Sequence, residues 1–120
     1  MKGLNKVTLI GNLGKDPEIQ VLEGAIKVAK FSLATTETYK DDKGQLHSNT
    51  EWHTIILWRG LADLTEKYLV KGSLVYVEGK LKTRHYEDKI GVKKYVTEII
   101  AEQVILLDKK PTNDEIPNKL

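Results

Sequence analysis

The sequence predicts an all-β domain: a five-stranded Greek-key barrel with one helix between the third and fourth strands. Three observations lead there. Apolar residues recur with period two in most segments, the spacing that lines one face of a strand. A helical period occurs convincingly once, around Leu64. The chain has 120 residues, 40% hydrophobic and 30% charged, which suits one compact core and is too short for two.

The elements follow in order. Val7-Thr8-Leu9-Ile10 is a β-rich run ended by Gly11-Asn12-Leu13-Gly14 and Asp16-Pro17, so it reads as a strand followed by a turn or bulge. Ile26 to Thr36 sets Phe31, Leu33 and Thr35 on one face and Val28 and Ala34 on the other, which makes a second strand. Glu37 to Asn49 is polar and reads as a hairpin loop, with Tyr39 at its base and Asp41-Asp42-Lys43-Gly44 at its tip. Glu51 to Trp58 is the third strand.

The period then changes. Leu61, Leu64, Tyr68 and Leu69 fall at i, i+3, i+7 and i+8, one face of a helix. Lys67 and Lys71 suit the negative end of its dipole, and Gly72 stands where a left-handed cap is expected. Ser73 to Thr83 returns to period two through Val75, Val77, Gly79 and Leu81. Arg84 to Val92 reads as a turn containing Gly91, and Lys93 to Leu107 as a long strand bent near Ala101. This gives a domain over residues 1–107. Residues 108–120 carry Pro111, Pro117 and mostly polar side chains, and read as a disordered tail. Five strands with a helix after the third is the pattern of the OB-fold, a Greek-key barrel that serves several kinds of ligand.

The distribution of aromatic residues is the main clue to function. The chain has two Trp, five Tyr and one Phe. Tyr39, Trp52, Trp58 and Tyr86 stand beside polar or basic residues. Alternation puts Trp52, Thr54, Ile56 and Trp58 on one face of the third strand, with His53, Ile55 and Leu57 on the other. Two flat rings on one face form a surface for stacking nucleobases, or else they fill a core. Net charge is only +2, but Lys80, Lys82, Arg84, Lys89, Lys93 and Lys94 cluster against Glu87 and Asp88, with Tyr86 and Tyr95 among them.

Other chemistry finds little support. Cysteine is absent, which removes disulfides and thiol catalysis and fits a reducing compartment. No apolar run approaches a membrane span and no signal-peptide region opens the chain, so a cytoplasmic location is expected. His47, His53 and His85 lack metal-ligand spacing. Gly11-Asn12-Leu13-Gly14-Lys15 lacks Walker spacing and reads as a turn. Asp41 and Asp42 read as solvated. No nucleophile has a base and an orienting partner, so neither catalysis nor a metal or other cofactor is expected.

Several motifs at matching spacing resemble bacterial single-stranded DNA-binding protein over roughly residues 4 to 107. They are Asn5 to Glu18, Thr50-Glu51-Trp52-His53, Tyr68 to Gly79, Lys82-Thr83-Arg84 and Tyr95-Val96-Thr97-Glu98. The resemblance implies sequence-tolerant binding and protection of single-stranded DNA in replication, repair or recombination, by a homotetramer whose first strand helps to pair subunits. It places stacking sites at Tyr39, Trp52, Trp58 and Tyr86. It places basic contacts at Lys71, Lys82 and Arg84, with Lys2 near another. Thr54 stands where the family is commonly basic, Arg59 is a substitute, and Lys80 matches more loosely. Tyr76 and His53 become core or interface residues. The family's acidic tip, which recruits replication and repair proteins, is similar to Asp114-Glu115-Ile116-Pro117, but Asn118 replaces its Phe and the linker is short. That points to an accessory, phage, plasmid or mobile-element version. Two readings stand beside this one: a primosomal-type adaptor whose barrel contacts proteins, and an RNA-binding barrel.

Overall fold

The computed structural model describes residues 2–108. The tip at Asp114, Glu115, Ile116 and Pro117 lies outside them. The strands are β1 (Val7–Leu13), β2 (Glu18–Leu22), β3 (Ile26–Lys40), β4 (Leu46–Trp58), β5 (Leu74–Glu87) and β6 (Lys93–Leu106). One helix, α1 (Gly60–Tyr68), lies between β4 and β5. The sheet order is β1-β5-β6-β4-β3-β2. A short β1–β3 pairing, Asn12 with Ala34 and Leu13 with Leu33, closes five of the strands into a barrel. Strand β2 adds to the outer edge of β3, and β4 meets β6 in parallel.

Alternation builds the core. Ala29, Phe31 and Leu33 of β3 pair across the ladder with Leu57, Ile55 and His53 of β4, and Val75 and Val77 of β5 join them inside. Leu33, Ile55, Leu57 and Val75 are fully buried, each worth about 1.5–3 kcal/mol by transfer from water. Gly11 is needed where β1 crosses β3, because a Cβ there would strike the Ala34 carbonyl. His53 projects inward and its Nε2 shares a 2.9 Å hydrogen bond with Thr35 Oγ1. The Tyr76 hydroxyl donates to Glu78 Oε1 at 3.3 Å.

The structure departs from the sequence-based elements in six places. Strand β2 is not among the five strands that the sequence predicts. The polar segment after Thr36 is no loop: β3 and β4 run on as a two-stranded arm to Lys40 and Leu46, and only the tip around Asp41 to Gly44 turns. Likewise β5 and β6 extend to Glu87 and Lys93 in a second arm, turning at Asp88 to Val92.

The helix buries Ala62 and Thr65, followed by Leu69, while Tyr68 is 55% exposed. Leu61 and Leu64 are partly buried against the core, so the inward face is rotated from the expected one. Gly72 does not cap the helix, which ends with an extended Leu69. It sits at φ 90° in a turn closed by Ser73 N–H donating to Val70 C=O, where its freedom to take positive φ is used. The expected bend near Ala101 is present as a bulge: Gly79 pairs with Ala101 and Glu78 with Gln103, leaving Glu102 as the extra residue. Asp108, placed in the tail by composition, holds the Leu74 N–H with its carboxylate at 2.8 Å and so belongs to the barrel.

Candidate nucleic-acid interface

The register assembles one continuous outer surface. Trp58 pairs with Val28, Ile56 with Lys30, Thr54 with Ser32 and Trp52 with Ala34, so all eight side chains leave the same side of β3 and β4. Ile56 lies beside Ile100 of β6. From there the ladder leads to Lys80, Lys82, Arg84 and Tyr86 on β5. Glu18 and Gln20 of β2 complete the margin beyond Lys30.

This surface is hollowed into a shallow trough. Lys30, Thr54, Arg84, Tyr86, Val96 and Glu98 line one part. A neighbouring part runs between Lys15, Asp16, Glu18, Lys30, Ser32 and Thr54. A third lies between Gly14, Lys15, Ser32 and Trp52. The shared residues make these parts of one feature that runs from Trp52 to Tyr86.

Trp52 is 62% exposed and Trp58 42%, while Ile55 and Leu57 between them are fully buried. The indoles are therefore platforms and not core. Trp52 is also seated: a Cβ on Gly14 would collide with its six-membered ring. The bare Gly14 backbone thus sets where the indole lies, and its other surface stays open to solvent.

At the far end, Arg84 is held by Glu98. Its Nε donates to Oε1 at 3.0 Å and its Nη2 to Oε2 at 3.2 Å. Glu98 is 6% exposed and Arg84 covers it. The hydrogen bond from Glu98, and then its charge, hold the Arg84 guanidinium above its ordinary pKa. The same guanidinium lies 6.0 Å from the centre of the Tyr86 ring, within cation–π range. Its charge is largely compensated, so it acts as a brace for Tyr86 more than as a free cation.

The uncommitted cations of the trough are lysines. Lys15, Lys30 and Lys82 form no salt bridge among the described residues. Lys30 borders two of these hollows, and sequence reasoning missed both it and Lys15. For Lys30 the signal was present, since alternation puts it on the side away from Phe31.

The other sequence-predicted residues are more dispersed. Tyr86 and Lys80 share the face of Lys82. Lys71 lies at the trough margin, where its N–H donates to Asp16 Oδ1 at 2.8 Å and ties the turn after α1 to the loop after β1. Arg59 follows Trp58 at the start of α1 with φ 58°, exposed and in a backbone region unusual for a non-glycine. Lys2 is exposed, three residues before Asn5, whose side-chain amide is bonded to the Leu81 backbone. Tyr39 does not join the trough. It pairs with His47 far along the first arm, on the face opposite Trp52.

Fold and site together define an OB-fold protein with an aromatic, lysine-lined outer groove. The sequence profile of the Single-strand binding protein family matches residues 4–107, and the chain belongs to that family. It is 44% identical over 119 residues to "Single-stranded DNA-binding protein 1" of Xylella fastidiosa, covering 98% of this chain and 88% of that one. It is 49% identical over 110 residues to "Single-stranded DNA-binding protein 1" of Chlorobaculum tepidum, covering 91% of this chain and 68% of that one. Among solved structures it resembles "Plasmodium falciparum SSB complex with ssDNA" with a TM-score of 0.83 and 44% identity, over 90% of this chain and 98% of the other. Among the described residues, no helix is long and apolar enough to cross a membrane.

Proposed function

We propose that this chain binds and protects single-stranded DNA, without sequence preference, along the trough from Trp52 to Tyr86. The observation that carries this reading is two exposed indoles on one strand face, flanked by lysines with no carboxylate partner among the described residues. Its family and its named relatives support it.

The mechanism needs no covalent chemistry. Unpaired bases lie against Trp52, Trp58 and Tyr86, while Lys15, Lys30 and Lys82 neutralise phosphates, with Lys71, Lys80, Arg59 and Lys2 at the margins. Stacking on an aromatic is worth about 1–3 kcal/mol per base, a value established for this class of protein. Every base has a π-face, so the contact is blind to sequence. Duplex DNA keeps those faces stacked and is excluded. The protein acts by coating and not by turnover, and serves replication, repair and recombination.

The working unit is a homotetramer. Strand β1 supports this: it pairs with β5 from Val7 to Asn12, and no ladder runs along the other edge of Val7–Ile10 among the described residues. Ile10 is 56% exposed there, which leaves both an edge and apolar surface for a second copy. Recruitment of replication and repair proteins through Asp114 to Pro117 stays a proposal of the sequence alone.

Competition tests the reading. A labelled oligo-dT bound to the protein is challenged with unlabelled duplex DNA or with oligo-U. Displacement by neither at moderate excess supports it. Equal displacement by RNA favours an RNA-binding barrel, and failure to bind oligo-dT at all favours a protein-contacting adaptor.

A further inference from the structure

Glu98 stands where a polyanion-binding surface has least use for it. It borders the part of the trough lined by Lys30, Thr54, Arg84, Tyr86 and Val96. At 6% exposed it is the one buried carboxylate among the described residues. A negative charge there repels phosphate. Enclosing it with its cation is no better for stability than an apolar pair of similar volume. Neither the fold nor phosphate binding calls for this residue.

Register shows what it does. On β5 the residue directly opposite Glu98 is Lys82, while Arg84 lies opposite Val96. Opposed Cβ atoms stand about 5 Å apart, so the nearest cation to pair with is Lys82. Lys82 instead forms no salt bridge among the described residues, and Glu98 reaches diagonally outward to Arg84. Its two oxygens accept from one guanidinium, Nε at 3.0 Å and Nη2 at 3.2 Å. That two-pronged contact fixes the plane of the guanidinium as well as its position. Next outward on the same face is Tyr86, its ring centre 6.0 Å from the guanidinium carbon.

Tyr86 needs such a hold. Toward the second arm the β4–β6 ladder ends at the Ile55–Ile99 rung. From Glu98 outward, β5 and β6 run on as a two-stranded ribbon, which has marginal stability by itself. Glu98 is the first residue past that rung and is anchored in the barrel. Tyr86 lies four residues beyond the Lys82–Glu98 rung, roughly 13 Å along the strand, and is 49% exposed.

We propose that Glu98 is a positioning residue for base stacking: through the Arg84 fork it fixes the Tyr86 ring relative to the barrel. The far platform of the trough is thereby held in place with Trp52 and Trp58, and Lys82 is left free for phosphate. This rests on the single-strand-binding reading above, and its test separates the two.

Charge and positioning give opposite signs. Glu98→Gln removes an anion from the trough and releases the Arg84 charge, so electrostatics alone tightens oligo-dT binding. The experiment is therefore run at high salt, where phosphate contacts are screened. The expected result is that Glu98→Gln weakens oligo-dT binding about fivefold or more, the low end for loss of a stack. The loss vanishes in a Tyr86→Ala background and persists in a Trp58→Ala background, the signature of coupling between Glu98 and Tyr86. Arg84→Lys keeps the charge beside Glu98 without the planar fork. It shows the same loss with the same dependence on Tyr86, and it decides the matter should Glu98→Gln not fold. A merely structural carboxylate would weaken binding alike in both backgrounds. Equal losses with and without the Tyr86 ring, or tighter binding by Glu98→Gln at high salt, refute the positioning role and leave the trough reading standing. If the wild-type chain does not bind oligo-dT at all, both fall.

Discussion

Arg84 donates two hydrogen bonds to Glu98, a carboxylate almost wholly enclosed beneath it. Charges at the trough surface therefore differ in what they can do. Arg84 is already matched by an anion, whereas Lys30 and Lys82 are not.

Salt dependence reads this division directly. Each neutralised phosphate contributes about −0.7 to the log–log salt slope for a single strand. Lys82→Ala and Lys30→Ala should each flatten the slope by about 0.7. Arg84→Gln should flatten it clearly less, while lowering the melting temperature because Glu98 loses its cation. A slope change at Arg84 equal to that at Lys82 would show that its charge is free.

Adjacent positions on β4 should behave in opposite ways. Trp58→Ala and Trp52→Ala should weaken binding by about 1–3 kcal/mol and leave the fold intact. Leu57→Ala, between the buried strands, should cost about 2–5 kcal/mol of stability, read from denaturant unfolding. A Trp variant that unfolds would return its indole to the core.

Gly14→Ala tests the seat of Trp52. The added Cβ collides with the indole, which must move. Binding should weaken severalfold and the Trp emission maximum should shift in the free protein, with melting little changed. An unchanged affinity would mean that the ring has no fixed seat.

The acid side of the stability curve has a defined sign. The Lys6 hydrogen bond holds the Glu78 carboxyl below its ordinary range, and the Lys27 hydrogen bond does the same for Asp63. Groups with a depressed folded pKa contribute fully above their unfolded values, about 4, and lose that contribution as pH falls through the folded ones. Melting temperature should therefore fall on acidification below about pH 4. Lys27→Met should make that fall shallower. A steeper fall in the variant would contradict the pairing.

The sequence revealed the barrel because most of it obeys alternation with one wet and one dry face. Ile55 and Leu57 against Trp52 and Trp58 is the clearest case. It failed where both faces are wet. The arm from Thr36 to Lys40 buries neither side, so no period marks it as strand. Strand β2 is five residues after a proline, with Ile19 and Leu22 partly buried, too few to show a pattern. The family resemblance places Tyr39 with Trp52, whereas register, which depends on where the hairpin turns, sets the two on opposite faces of the arm. Glu98 was unreadable as a buried residue, since nothing in the chain near it announces a covering arginine fourteen residues away.

The central claim is that the indoles on β4 meet nucleobases in a lysine-lined trough, and one titration addresses it most directly. Oligo-dT is added to the protein at two salt concentrations while Trp emission is followed. The account predicts strong quenching, tight binding and a marked loss of affinity at the higher salt. Emission left unchanged by oligo-dT, or affinity indifferent to salt, would contradict it.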